Sequence, residues 1–335
     1  MQVQQDTRSV TITWIERNLG RHQRGSAMDG QGQTTIAGRT LAERLGRVGL
    51  WTGQLDIQPA ERVRTAVAEL EELGWGSLWI WEVFGREALT SAGVLLAATR
   101  QMVVGTGIAN IWARDPVAMA AAQRTLAEAY PGRFVLGVGV SHAPIVEARG
   151  HRYERPVAKM RAYLDAMDAA PFQGPTLPEE PARVLAALGP RMLGLAAEQA
   201  AGALLYNGPP EATASARSVL GAGPLLAVEQ AVLLEGDPAE ARRAARDFLA
   251  FYMSLPNYVR AWDRVGLGAE ERADGGSDRL VDAVVAWGGP EAIAERVRAH
   301  LDAGADHVCL QVLGPDPDGL PMAGWRELAP ALLER

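Results

Sequence analysis

Cysteine occurs once in the 335 residues, at Cys309. A disulfide framework and a Cys-rich zinc or iron–sulfur site are therefore excluded. Lysine is equally scarce: of 33 basic side chains, only Lys159 is a lysine. A P-loop needs Gly-Lys, which is absent, and a Schiff-base mechanism would be confined to Lys159. No H-E-x-x-H, G-x-S-x-G or G-x-G-x-x-G occurs, which removes the zincin, serine-hydrolase and dinucleotide-fold signatures. No apolar run reaches the roughly 18 residues of a membrane span. The N-terminus lacks the apolar segment of a signal peptide, and a cytoplasmic location is expected. Excess positive charge is missing too: 40 acids against 33 bases leave a net charge of −7. Without a basic stripe, neither nucleic acid nor membrane is an expected partner.

The chain is 48% apolar and 22% charged, the balance of a globular protein. Its length suits one large α/β domain or two ordinary ones. Residues 1–44 stand apart, rich in Gln, Thr, Arg and Gly, with one short apolar stretch around Ile12–Ile15. They read as a disordered extension without a catalytic role, and Met28 offers an internal start. From residue 45 to 335, short apolar runs alternate with amphipathic segments. Strands are expected at Val48–Trp51, Ser77–Trp81, Met102–Gly107, Phe134–Val138, Val184–Ala187, Ala203–Tyr206, Leu225–Leu234 and His307–Leu313. Helices fall between them; Pro116–Ala129, with Asp115 as N-cap and Pro116 in first position, is the clearest. Eight βα units in one domain predict a TIM (β/α)8 barrel. A doubly wound sheet would usually show a Gly-rich first turn. Between strands seven and eight, Pro238–Gly289 is too long for one helix. It predicts a helical insertion, with helices at Leu255–Val265 and Asp278–Trp287. Such insertions lie at the C-terminal mouth, where they wall a pocket.

Function in a barrel of this kind lives at the C-terminal strand ends. Those positions here are Trp51, Trp81-Glu82, Gly105–Trp112, Gly137–His142, Ala187–Arg191 and Tyr206–Gly208. They are poor in nucleophiles and metal ligands, and no metal site is expected. They are rich in glycine, tryptophan and small polar groups. That composition suits a flat aromatic cofactor, because glycine lets backbone approach a ring and large side chains wall it. Glu82 closes an apolar strand (LWIWE), where a lone carboxylate needs a partner. It reads either as a catalytic group that bonds cofactor or substrate, or as a salt-bridge partner of Arg86 or Arg114. His142 has the ordinary pKa for proton exchange near neutrality. His151 reads as solvated, and His300 and His307 as structural. Lys159 falls on a helix facing away from the mouth. The Leu188-Gly189-Pro190-Arg191 turn opens a helix whose free N–H groups and dipole attract phosphate, with Tyr206, Asn207 and Gly208 alongside. Trp51, Trp81 and Trp112 are candidate pocket walls.

The stretches GWGSLWIWE, GREALTSAGVLLAAT, GTGIANIWARDP, AYPGRFVLGVGVSHAP, RYERPVAKMRAYLD, SDRLVDAVVAWG and GADHVCLQVL together resemble the luciferase-like monooxygenase superfamily. Within it they are similar to the coenzyme F420-dependent oxidoreductases of actinobacterial type. The resemblance covers about residues 45–335. It implies a deazaflavin held at the barrel mouth and hydride exchange with an organic substrate. Reduced FMN is the alternative cofactor, for a monooxygenase, and a non-catalytic cofactor-binding barrel is the alternative of another class. The resemblance also implies a bulge with a non-prolyl cis peptide at the end of strand three, Gly107–Ile108 here, behind the cofactor ring. Asn110 beside it would bind a ring carbonyl or nitrogen, and Gly139, Val140 and Ser141 would complete the contact. His142 matches a position that often carries an acid or base in deazaflavin enzymes. The cofactor phosphodiester would rest on Leu188–Arg191. After strand six, similar proteins carry HPYxxTPEHT; this chain departs with LLYNGPPEAT and lacks those His and Thr types. The expected partners are a small-molecule substrate and, as an assembly, a homodimer.

Overall fold

The computed structural model describes residues 30–333, apart from 178, 315 and 317. Eight short apolar segments extend as strands: β1 (Val48–Thr52), β2 (Ser77–Ile80), β3 (Val103–Thr106), β4 (Phe134–Gly139), β5 (Arg183–Ala186), β6 (Gly202–Leu205), β7 (Leu225–Leu233) and β8 (His307–Val312). Nearly every residue in them is buried, as a parallel sheet covered on both faces requires. Each strand pairs in parallel with the next. β8 pairs with both β7 (His307 opposite Ala227) and β1 (Val308 opposite Val48), which closes a TIM barrel. Helices wind between the strands. Pro116–Ala129 starts where its sequence predicts: Asp115 accepts the N–H groups of Val117 (2.9 Å) and Ala118 (3.0 Å), with Pro116 first in the helix.

Alternate strand residues divide the core. Leu50, Leu78, Val104 and Leu136 pack with the helices, while Trp79, Val135, Val184, Ala227 and Cys309 form a second, inner cluster. His307 is fully buried as a neutral ring. Its Nδ1–H donates to Gly46 O (2.7 Å), and Nε2 accepts the Trp79 indole N–H (3.1 Å). Burial pulls its pKa down to about 4. His300 sits between Thr213 and Gln230, 2.8 Å from each. Both histidines are structural.

The expectation of a structureless extension over 1–44 is corrected. Residues 1–29 lie outside the described residues, but Gly30–Leu45 is a helix. Leu41 and Leu45 are 3% and 1% exposed and belong to the inner cluster with Trp79 and Cys309. Arg44 anchors the helix through a two-pronged ion pair with Glu179 (2.6 and 2.7 Å). The i, i+4 leucine pair is diluted in sequence by Gln, Thr and Gly; only the barrel interior it packs against makes it core.

After β7 the chain forms an insertion. Helices Pro238–Met253, Pro256–Asp263, Ala269–Arg272 and Asp278–Val284 precede Pro290–Asp302. Leu249, Leu255, Trp262, Leu280 and Val284 give it an apolar core shared with Ala231 and Leu233 of β7. The helix expected to reach Trp287 stops at Val284, and Ala286–Trp287 pairs in parallel with Val232–Leu233. The end of β7 offers backbone groups that need partners, and two extended residues supply them. No helix of the described residues is long and apolar enough to cross a membrane.

Leu45→Ala is expected to cost about 2–5 kcal/mol in urea unfolding, because it empties a packed site. Arg39→Ala, at an exposed position of the same helix, should change stability by less than about 0.5 kcal/mol.

Candidate active site

The C-terminal strand ends surround a cavity of about 930 Å³. Its platform is the end of β3, where the Gly107–Ile108 peptide is cis and both residues face the cavity. The Trp51 indole N–H donates to Gly107 O (3.1 Å). A Cβ on Gly107 would lie 2.6 Å from that indole nitrogen, and one on Gly139 would lie 2.5 Å from Ile108. Glycine at both positions is what lets these groups approach.

Glu82 holds the platform from the side. One oxygen meets the Arg114 guanidinium and accepts the Ala88 N–H (3.2 Å); the other accepts the Asn110 N–H (2.7 Å). Of the two sequence readings of Glu82, the salt bridge to Arg114 is the one present. Its residue borders the cavity, but its carboxylate is fully committed to Arg114 and the backbone. The catalytic assignment of Glu82 is corrected to a positioning one.

Trp51, Trp81, Gly139, Val140, Ser141, His142, Leu188, Gly189, Pro190, Arg191 and Tyr206 border the cavity. Four other candidates do not, and their assignments are corrected. Asn110 is fully buried and folds back to accept the Trp112 N–H (2.9 Å), so it closes a turn. Trp112 donates its indole N–H to Val140 O (3.0 Å) and lies under the Lys159 ammonium, 5.0 Å from its ring centre. Asn207 has a left-handed backbone (φ 53°); its N–H goes to Glu229 (3.0 Å) and its carbonyl accepts the Trp262 indole (2.8 Å). Asn207 and Gly208 line a separate cavity of about 80 Å³ behind the main one.

Aromatic rings continue around the wall. Centroid separations are 5.8 Å from Trp81 to Trp51, 5.1 Å to Tyr206, 5.6 Å to Tyr252, 5.0 Å to Tyr258 and 5.5 Å to His142. These are ordinary distances for edge and tilted ring packing. Sequence reading missed the part that the insertion supplies. Asn257, Tyr258, Arg260 and Arg264 all border the cavity. Asn257, Arg260 and Arg264 are spaced i, i+3, i+7, while Tyr258 and Trp262 are buried; that amphipathic pattern is the signal the sequence offers.

Arg191, Arg260 and Arg264 border the same cavity as the N-terminus of Pro190–Gln199, which no side chain caps. The ion pairs found among the described residues involve other arginines. Arg264 donates to Leu188 O, and burial, then the nearby Arg260 charge, lowers its pKa. These side chains make the cavity wall there cationic. Burial lowers the His142 pKa below 6.5 against a weaker opposing pull from Asn257, whose Nδ2 is 3.5 Å from His142 Nδ1. The imidazole is neutral at pH 7.

Glu229 on β7 is fully buried beneath this wall. Oε2 accepts the Asn207 N–H, and Oε1 has no partner among the described residues. Burial raises its pKa to about 8, so it is a neutral acid at pH 7. The folded pKa exceeds the unfolded value of 4.5. The associated stability is complete below pH 4.5 and is lost as pH rises through 8. Unfolding free energies of wild type and Glu229→Gln should diverge between pH 5 and pH 9, by on the order of 4 kcal/mol in favour of the variant.

The model of the luciferase-like monooxygenase family matches residues 40–307. A coenzyme F420-dependent oxidoreductase of Mycobacterium tuberculosis is 33% identical over 120 residues, 36% of this chain and only 35% of that protein. The 5,10-methylenetetrahydromethanopterin reductase of Archaeoglobus fulgidus is 25% identical over 78% of this chain and 93% of its own length. The solved structure of the coenzyme F420-dependent tetrahydromethanopterin reductase of Methanopyrus kandleri superposes with a TM-score of 0.68 at 17% identity, over 86% of this chain and 99% of that one. With its closed barrel, cavity at the strand ends and a match from residue 40 to 307, the chain belongs to the luciferase-like monooxygenase family.

Proposed function

We propose that this protein is an oxidoreductase that transfers hydride between coenzyme F420 and an uncharged organic substrate carrying a carbonyl or alcohol oxygen. The observation that carries this is one cavity at the strand ends whose wall brings together the glycine platform, three arginines, a row of aromatic rings and the neutral His142. The name of the Mycobacterium tuberculosis relative supports this cofactor, and that of the methylenetetrahydromethanopterin reductase supports reductase chemistry.

The residues fit such a cofactor. The backbone of Gly107–Ile108 and Gly139 borders the cavity, and glycine at 107 and 139 lets Trp51 and Ile108 close up behind it, so that the wall there would accommodate a ring. Arg191, Arg260 and Arg264, with the uncapped N–H groups of Gly189 and Arg191, would hold a phosphodiester. The chemistry the cofactor supplies when bound is hydride exchange at its ring. The chain does the rest. Trp51 fixes the Gly107 carbonyl and so the platform. Val83, Phe84 and Ile145 add apolar surface to the cavity. His142 takes the hydroxyl proton of an alcohol substrate or hydrogen-bonds a carbonyl oxygen.

A titration of the purified protein with F420 and with FMN tests the cofactor. F420 should bind with micromolar affinity or better and FMN at least tenfold more weakly. Tighter binding of FMN would assign the reduced-FMN chemistry, and no binding of either would remove the enzyme reading. His142→Ala should lower turnover by roughly 10²–10⁴-fold while cofactor affinity changes little. Because the His142 pKa lies below 6.5, alcohol oxidation should fall as pH drops below that value. The limb should vanish in the alanine variant.

A further inference from the structure

Of the four tyrosines that border the cavity, Tyr206, Tyr252 and Tyr258 pack ring to ring, and they differ in one respect: what their hydroxyl protons do. A phenol carries a single proton to donate. Tyr206 donates its proton to Gln311 Oε1 (2.7 Å). Its contact with Tyr252 (2.9 Å between hydroxyl oxygens) must then be a bond that Tyr252 donates. Both protons are committed within the protein. Tyr258 borders the cavity, and its hydroxyl has no hydrogen-bond partner among the described residues although the rest of the side chain is buried. Open to the cavity and uncommitted to the protein, that hydroxyl can donate to a ligand acceptor in place of water.

The place of Tyr258 is also specific. Its ring is held by Tyr252 on one side (5.0 Å), Trp262 on another (6.1 Å) and the His142 imidazole on a third (5.5 Å). It therefore adjoins His142, the candidate acid–base group. Burial, and then the neighbouring Tyr252 and Glu229, push the phenol pKa well above 10, so it stays a donor throughout the physiological range.

We infer that the Tyr258 hydroxyl is the hydrogen-bond donor that receives the substrate's oxygen beside His142, and that it selects substrates bearing an acceptor oxygen over apolar isosteres. This rests on the proposed role of the cavity as a substrate site, but not on the identity of the cofactor. Tyr258 comes from the insertion, so the segment that walls the mouth would also set which atom of the substrate faces His142.

Acetophenone and α-methylstyrene are suitable probes, because they differ only by C=O against C=CH₂. Their affinities for wild type, Tyr258→Phe, Tyr252→Phe and His142→Ala can be compared by calorimetry. Wild type should prefer the ketone by about 3- to 10-fold, the value of one net hydrogen bond. Tyr258→Phe should abolish the preference, while Tyr252→Phe retains most of it. The inference is overturned by a preference that survives in Tyr258→Phe, by one lost only in His142→Ala, or by wild type that binds neither probe or both equally. The infrared carbonyl stretch of bound acetophenone gives an answer independent of any variant's folding. It should shift to lower frequency in wild type, and an unshifted band would sink the proposal. Should F420 fail to bind while the ketone preference stands and depends on Tyr258, the cofactor assignment falls and this one holds.

Discussion

The mouth of this barrel depends on where the chain goes after Gly107–Ile108, and one buried carboxylate decides that. Glu82 is 7% exposed. It is balanced by Arg114 and accepts backbone N–H groups from two different segments, Ala88 and Asn110. An unpaired charge at such a site would cost several kcal/mol, whereas a paired and hydrogen-bonded one specifies geometry. The same guanidinium also meets Glu87, which caps the helix Ala88–Ala98. The end of β2, the start of that helix and the turn after β3 are thereby tied to one point. The Trp51 bond to Gly107 O then braces the platform from the β1 side.

The second constraint is the insertion after β7. Its apolar core, built around Leu249, Trp262, Leu280 and Val284, is continuous with Ala231 and Leu233 of β7, which fixes it on the barrel. Trp262 contributes twice: its ring packs in that core and its indole N–H satisfies the Asn207 carbonyl on the barrel. The same short helix presents Asn257, Tyr258 and Arg260 to the cavity. A rigid wall of this kind holds functional groups at fixed distances from strand ends that belong to another part of the chain.

Burial has a common effect on His142, Tyr206, Tyr258 and Glu229. It favours the uncharged form of each, lowering His142 and raising Tyr206, Tyr258 and Glu229. Arg191, Arg260 and Arg264 supply positive charge to the same cavity wall.

The barrel itself was legible in the sequence. Strand residues buried on both faces appear as short apolar runs, and Asp-Pro and Gly punctuate the helices between them, so strand and helix limits could be read from local chemistry alone. The cavity residues at the strand ends were legible for the same reason, since topology fixes which end faces the mouth. Side-chain direction was not. Asn110, Trp112 and Asn207 lie within a few residues of the cavity but turn away from it: Asn110 Oδ1 accepts the Trp112 N–H and the Trp112 indole donates to Val140 O, while the Asn207 side-chain amide is buried without a partner among the described residues. The sequence offered both Arg86 and Arg114 as partners for Glu82; only the fold chose Arg114, a residue 32 positions away. Leu41 and Leu45 became core only because the barrel interior had room for them. Tyr258 reaches the cavity only because a helix remote in sequence folds across the mouth and brings its ring beside His142.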